Sequence, residues 1–160
     1  MISTNEYQRF DGLGLAALVR EKAVTPSELV EAAITLIEEH NPAINAVVHR
    51  LYEDARKRAA TQPGEGPFAG VPLLLKDLLA ASAGQPLSNG SRFFADNVPE
   101  QDSEIVRRYR RAGLIVVGRT NTPELGITGV TEPDPFGATH NPWRLDRTAG
   151  APVAPYDLAV

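Results

Sequence analysis

Apolar residues recur along this chain at two different periods, and the two periods alternate. Leu15, Leu18 and Val19 fall on one face of a short helix predicted over residues 13–22. Leu29, Val30, Ala33, Leu36 and Ile37 keep the same helical spacing after Thr25-Pro26-Ser27-Glu28, a start signal in which Thr caps, Pro takes the first helical position and Glu closes a capping box. Asn41-Pro42 is expected to end that helix. Ala46-Val47-Val48 reads as a short extended piece, residues 51–60 as a charged helix, and residues 62–67 as a loop. Pro72-Leu73-Leu74-Leu75-Lys76 reads as a buried strand, and residues 80–90 as a small-residue loop. Asp102 is expected to cap a helix with Ile105, Val106, Tyr109 and Ala112 inward and Gly113 at its end. Leu114-Ile115-Val116-Val117 is a second buried strand, and Thr122-Pro123-Glu124 predicts one more helix start. Helix, strand, helix, strand is the order of an α/β layered fold. From Gly129 onward the chain is rich in proline and glycine and predicts no element, a long structureless stretch for a compact domain.

One position breaks the pattern. Lys76 falls inside an aliphatic run, where an aliphatic residue is expected. Lysine is rarely buried without a partner, and burial pushes its pKa down toward the neutral amine. A neutral amine at neutral pH accepts protons, so Lys76 is the candidate general base. It is expected to be mostly buried at a strand end beside the Leu114–Val117 segment, its amine neutral or bonded to backbone carbonyls. Asp77, next in sequence, points to the other side of the strand and is expected to cap or anchor backbone rather than to tune the lysine.

Composition narrows the classes. With 160 residues, 42% of them hydrophobic, the chain fits one ordinary domain. A net charge of −4 disfavours nucleic acid or an anionic membrane as the main partner. The arginines Arg107, Arg108, Arg110 and Arg111 are expected on a solvated helix face rather than in a nucleic-acid patch. There is no cysteine, hence no disulfide, thiolate metal site or cysteine nucleophile. His40, His49 and His140 lack metal-ligand spacing and are expected at the surface or its boundary. No cofactor or metal is expected. The polar N-terminus lacks a signal-peptide core, and no apolar stretch reaches the length of a membrane span, so a cytoplasmic location is expected.

Three blocks then converge. Gly70-Val71-Pro72-Leu73-Leu74-Leu75-Lys76-Asp77-Leu78, the stretch from Ala112 through Asn121-Thr122-Pro123-Glu124-Leu125-Gly126, and Thr131-Glu132-Pro133 leading to His140-Asn141-Pro142-Trp143 together resemble the amidase signature family. The leading segment from Leu13 to Ala46 is similar to that family's first helices. The resemblance runs from about residue 10 to Gly150 and looks closer to stand-alone amidases, including those that open cyclic amide oligomers. It implies the N-terminal portion of an amidase signature fold, helices packed on a mixed β-sheet, and a serine-dependent hydrolysis of carboxamides. In that family a lysine in this motif works with two serines: one attacks the carbonyl, and the other relays its proton toward the neutral lysine. Lys76 matches that lysine.

The two serines find no match. Where the family continues into a glycine-serine run, this chain reads Arg147-Thr148-Ala149-Gly150-Ala151-Pro152, and no serine lies beyond Ser103. Ser82, Ser88 and Ser91, in the loop after Lys76, are expected to be structural. The expected organisation is therefore an amidase-type segment over residues 1–150, incomplete as a fold, and a non-family tail over residues 151–160. The codons of Ala151-Pro152-Val153-Ala154-Pro155 permit a shifted frame that reads Gly-Ser-Ser-Gly-Ser, so a frameshift near codon 150 competes with a genuine short homologue or an arbitrary fragment. Three functions follow: an amidase-family hydrolase inactive alone, whose partner would be a small-molecule amide; a non-catalytic binding module; or the amidase-like component of a tRNA-dependent amidotransferase. Self-association is expected of a fold whose apolar surface is left uncovered.

Overall fold

The computed structural model describes residues 2–61 and 64–149. Its centre is a three-stranded sheet in the order β1 (Val47–Arg50), β3 (Ile115–Thr120), β2 (Pro72–Lys76). β1 pairs antiparallel with β3 and β2 pairs parallel with it, so the sheet is mixed, and among the described residues β2 is paired on one side only. All six residues of β3 are buried, the apolar Ile115-Val116-Val117 and the polar Arg119 and Thr120 alike. A two-stranded antiparallel hairpin, β4 (His140–Asn141) and β5 (Arg144–Thr148), stands apart from the main sheet.

Five helices surround these strands: α1 (Thr4–Tyr7), α2 (Gly12–Arg20), α3 (Pro26–Ile44), α4 (Tyr52–Thr61) and α5 (Glu104–Arg111). The capping box at the head of α3 is present: Thr25 Oγ1 accepts from Glu28 N while Glu28 Oε2 accepts from Thr25 N. Val30, Ile34 and Ile37 of α3 pack with Ala55 and Ala59 of α4 on Val47, Leu74, Ile115 and Val117 of the sheet. On the other face Leu75 and Val116 pack under Val106 of α5. A third cluster joins Tyr7, Leu15 and Ala16 to Leu29, Ala33 and Leu36. α2 and α3 thus bury the stripes their apolar periods announced.

Four departures from the sequence expectation have physical causes. α3 does not stop at Pro42 but contains it and runs on to Ile44, where Asn45 closes it in the left-handed region at φ 51°. The turn beyond is held by the buried side chain of Asn41, which accepts from Ala46 N and Val47 N and donates to Val47 O. Those three bonds fix the helix-to-strand transition that proline alone was expected to make. Asp102 does not cap α5: Ser103 takes the cap position, and Asp102 instead accepts from Ala83 N and ion-pairs with Arg110. Ile105 is 43% exposed while Val106 is fully buried, so the inner face of α5 is narrower than its sequence suggested. After Pro123 there is a single 3₁₀ turn, Glu124–Gly126, with Leu125 left-handed at φ 51°, and no longer helix.

The segment beyond Gly129 is ordered by side chains rather than by periodicity. Asn45 donates to Phe136 O and Ala138 O, Thr139 donates to Asn45 O, and Asn121 donates to Gly137 O. The β4–β5 hairpin follows, its second strand exposed throughout. The tail predicted over residues 151–160 lies outside the described residues.

Candidate functional site

β2 and β3 run parallel and end together, Lys76 pairing with Thr120. Their carboxyl ends open onto two loops, residues 77–91 and 121–134. The crevice outside the carboxyl ends of parallel strands is a general place for ligands in α/β sheets. Lys76 is the last residue of β2 and is half-buried, less covered than its aliphatic run suggested. Burial holds its pKa below the ordinary lysine value. Among the described residues nothing hydrogen-bonds or ion-pairs with its amine, so of the two expected states, neutral or bonded to backbone carbonyls, the second is not seen there. A partly desolvated amine without a counter-charge is poised to take a proton.

Asp77 is fully buried and does anchor backbone. Its carboxylate accepts from Ser88 N at 3.0 Å, from Ser88 Oγ, and from Gly90 N at 3.4 Å. His49 Nε2 stands 3.7 Å from Asp77 Oδ2, beyond hydrogen-bond length, so its influence there is electrostatic. Burial opposes ionisation of Asp77, but the nearby His49 and the Ser88 bonds override it and leave its pKa below the ordinary aspartate value. Gly90 can follow because it sits at φ +65° and a Cβ there would lie 2.6 Å from Thr122 O, so the two loops touch at this glycine.

The loop serines are structural. Ser88 donates to Asp77, and with the aspartate rather than a histidine as its partner it lacks the base a nucleophile needs. Ser82 accepts from Arg110, and Ser91 donates to Glu124 Oε1 at 2.6 Å, tying the two loops together. Arg107, Arg108 and Arg111 pair with Glu104 on the outer face of α5. His40 and His140 are exposed, and His49 lies at the boundary with its ring edge-on to Phe136. Among the described residues no group of three or more His, Cys, Asp or Glu side chains is placed to hold a metal ion, and no helix is long and apolar enough to cross a membrane.

Sequence reasoning missed Arg119. It is fully buried in the middle strand, donates from Nη1 to Lys76 O at 3.3 Å, and leaves Nε and Nη2 without partners among the described residues. A charge inside an apolar strand is the signal that singled out Lys76, but Arg119 follows Gly118 near the strand end, where that signal is weak. Also missed were Asn89 and the two leucines beside it. Asn89 accepts from Leu79 N through its side chain and from Leu125 N through its carbonyl, and all three residues have positive φ. Non-glycine residues are rarely held there outside functional or tightly constrained sites.

Comparison with known proteins agrees with this geometry. The family model for Amidase matches residues 28–152. The 6-aminohexanoate-cyclic-dimer hydrolase of Paenarthrobacter ureafaciens is 42% identical over 142 residues, 88% of this chain and 28% of that protein. A solved 6-aminohexanoate cyclic dimer hydrolase with substrate bound superposes with a TM-score of 0.83 at 41% identity, covering 89% of this chain and 30% of the other. A component of the glutamyl-tRNA(Gln) amidotransferase of Salinispora tropica is 38% identical over 149 residues, 88% of this chain and 30% of that protein. The chain thus spans less than a third of the length of these relatives. The residues matched by the family model take in most of α3, α4, α5, the mixed sheet and Lys76: the chain belongs to the amidase family.

Proposed function

We propose that this chain carries the lysine-bearing part of a serine-dependent amide-hydrolysing domain, with Lys76 as the proton acceptor, and that these 160 residues do not turn over amides by themselves. The observation that carries the reading is Lys76 at the carboxyl end of β2, with its pKa lowered by burial and no partner for its amine among the described residues. Such an amine activates a hydroxyl by removing its proton. The hydroxyls it would serve belong to a glycine-serine segment that is not among these residues, since no serine follows Ser103. A positioned base alone contributes only about 10² to 10⁴ in rate, too little for detectable turnover of an amide. We place the amidase-type segment at residues 1–150 and a non-family tail at 151–160. The substrate class is small carboxamides. The net charge of −4 supports a cytoplasmic protein that uses neither nucleic acid nor a membrane. Leu79, Ile127 and Trp143, 77%, 78% and 86% exposed, favour self-association.

The test is hydrolysis of 6-aminohexanoate cyclic dimer and of acyl anilides by the purified chain and by Lys76→Ala. Both are expected to release no more amine than buffer. Turnover that Lys76→Ala abolishes overturns the claim of inactivity. The relative at 38% identity favours a second reading, a component of an amidotransferase. Glutamine-dependent transfer after co-expression with the other components would establish it.

A further inference from the structure

A buried guanidinium is costly unless its donors and its charge are answered. Arg119 answers only part of that demand. Asp77 supplies the opposing charge, and one of its nitrogens finds the Lys76 carbonyl. The place of that bond explains its use. β2 and β3 end in register at Lys76 and Thr120, so the peptide joining Lys76 to Asp77 is the last rung of the parallel ladder. Its N–H, on Asp77, donates to Thr120 O at 2.9 Å. Its carbonyl, on Lys76, points the opposite way in the trans peptide plane and receives Arg119 Nη1 at 3.3 Å. Both polar ends of one peptide plane are therefore held, one by the sheet and one by a side chain. Fixing that plane fixes the Cα–Cβ direction of Lys76, whose amine has no partner of its own among the described residues.

We propose that Arg119 is a positioning residue for Lys76: its clamp on the Lys76 carbonyl sets where the amine points and how far it is withdrawn from water. The proposal rests on the reading of Lys76 as the base. The charged and titratable groups around this strand end are Asp77 beside Lys76, Arg119 on β3 and His49 on β1. Asp77 is committed to Ser88 and Gly90, and His49 faces Asp77, which leaves Arg119 as the group bonded to the lysine's own main chain.

The test is the pH dependence of acetic anhydride acetylation of Lys76 in the whole chain, read by mass spectrometry. The chain has only two other lysines, Lys22 and Lys57, both exposed, and they serve as references in the same reaction. In the wild type Lys76 is expected to titrate below both. Arg119→Met should return its midpoint at least halfway to theirs, with Lys22 and Lys57 unmoved. Arg119→Lys should move it upward by less. That variant keeps the cation but not the planar fork, so its shift isolates positioning from charge. An unmoved Lys76 midpoint in folded Arg119→Met overturns the proposal, and if that variant does not fold, an unmoved midpoint in Arg119→Lys does so. A wild-type Lys76 that titrates with Lys22 and Lys57 overturns the base assignment instead.

Discussion

Asp77→Asn removes one charge from the buried cluster beneath Lys76 while nearly keeping the side chain's shape. In the wild type the carboxylate takes two N–H donors and one hydroxyl and opposes the guanidinium of Arg119. Hydrogen bonds to a charged group are worth about 1.5–3 kcal/mol each, and a buried charge stripped of its partner costs about 3–5 kcal/mol. These terms overlap, because the same oxygens serve both, so the expected loss is about 3–5 kcal/mol in total. Against the roughly 5–15 kcal/mol that holds a domain together, that is a large fraction. Urea-induced unfolding at pH 7 measures it.

The pH dependence gives the sharper check. The folded-state pKa of Asp77 lies below its unfolded value, so its stabilisation is fully present above about 3.9 and is lost as pH falls through the lower, folded value. The gap between wild type and Asp77→Asn should stay constant from pH 7 down to about pH 5 and close only in acid. Combining Asp77→Asn with Arg119→Met should cost less than the sum of the two, with a coupling on the order of 1–3 kcal/mol, because the double variant leaves no unpaired buried charge between them. A loss under about 1 kcal/mol at pH 7, or a gap that already shrinks between pH 7 and 6, refutes the reasoning and moves the cluster's charge balance to His49.

Ile115→Ala, at a side chain 2% exposed between α3 and the sheet, is expected to cost about 2–5 kcal/mol in the same unfolding assay. Gly113→Ala places a Cβ 2.6 Å from Ala69 Cα at a residue with φ +92°, so it should lose more than about 1 kcal/mol and lower the melting temperature, whereas an unchanged melt would show that the 66–71 turn can move aside.

The fold was legible where one period dominated. The helices α2, α3 and α4 and the strands β2 and β3 all lie within a few residues of where apolar spacing placed them. It was illegible where polar side chains replace periodicity. Nothing in the spacing of Asn41, Asn45 and Thr139 announces that their amides and hydroxyl would organise a helix end and fold residues 131–139 against it. Leu125 at positive φ is equally silent, since leucine strongly prefers other conformations and its N–H bond to Asn89 O comes from a residue far away in sequence. For the site, Lys76 stood out because a charge interrupts aliphatic residues. Arg119 interrupts them too, but it follows Gly118 near a strand end, where a charge reads as a return to solvent. It is nonetheless fully buried, and the charge that opposes it, Asp77, lies far away in sequence, a relation no local pattern carries.

The two cations at this sheet end suit opposite tasks, and each side-chain type fits its own. Lysine shifts its pKa readily when desolvated and carries its charge on a single mobile nitrogen, as a proton acceptor must. Arginine stays protonated even when buried, so burial lowers the pKa of Arg119 without making it a base, and its fork can reach a carbonyl and face a carboxylate together. A sheet that ended on two lysines would leave two competing acceptors and no fixed donor for the last carbonyl. One that ended on two arginines would leave no acceptor. The titratable cation thus stands on β2 and the permanent one on β3, so that under the proposed reading one is free to exchange a proton while the other holds a carbonyl.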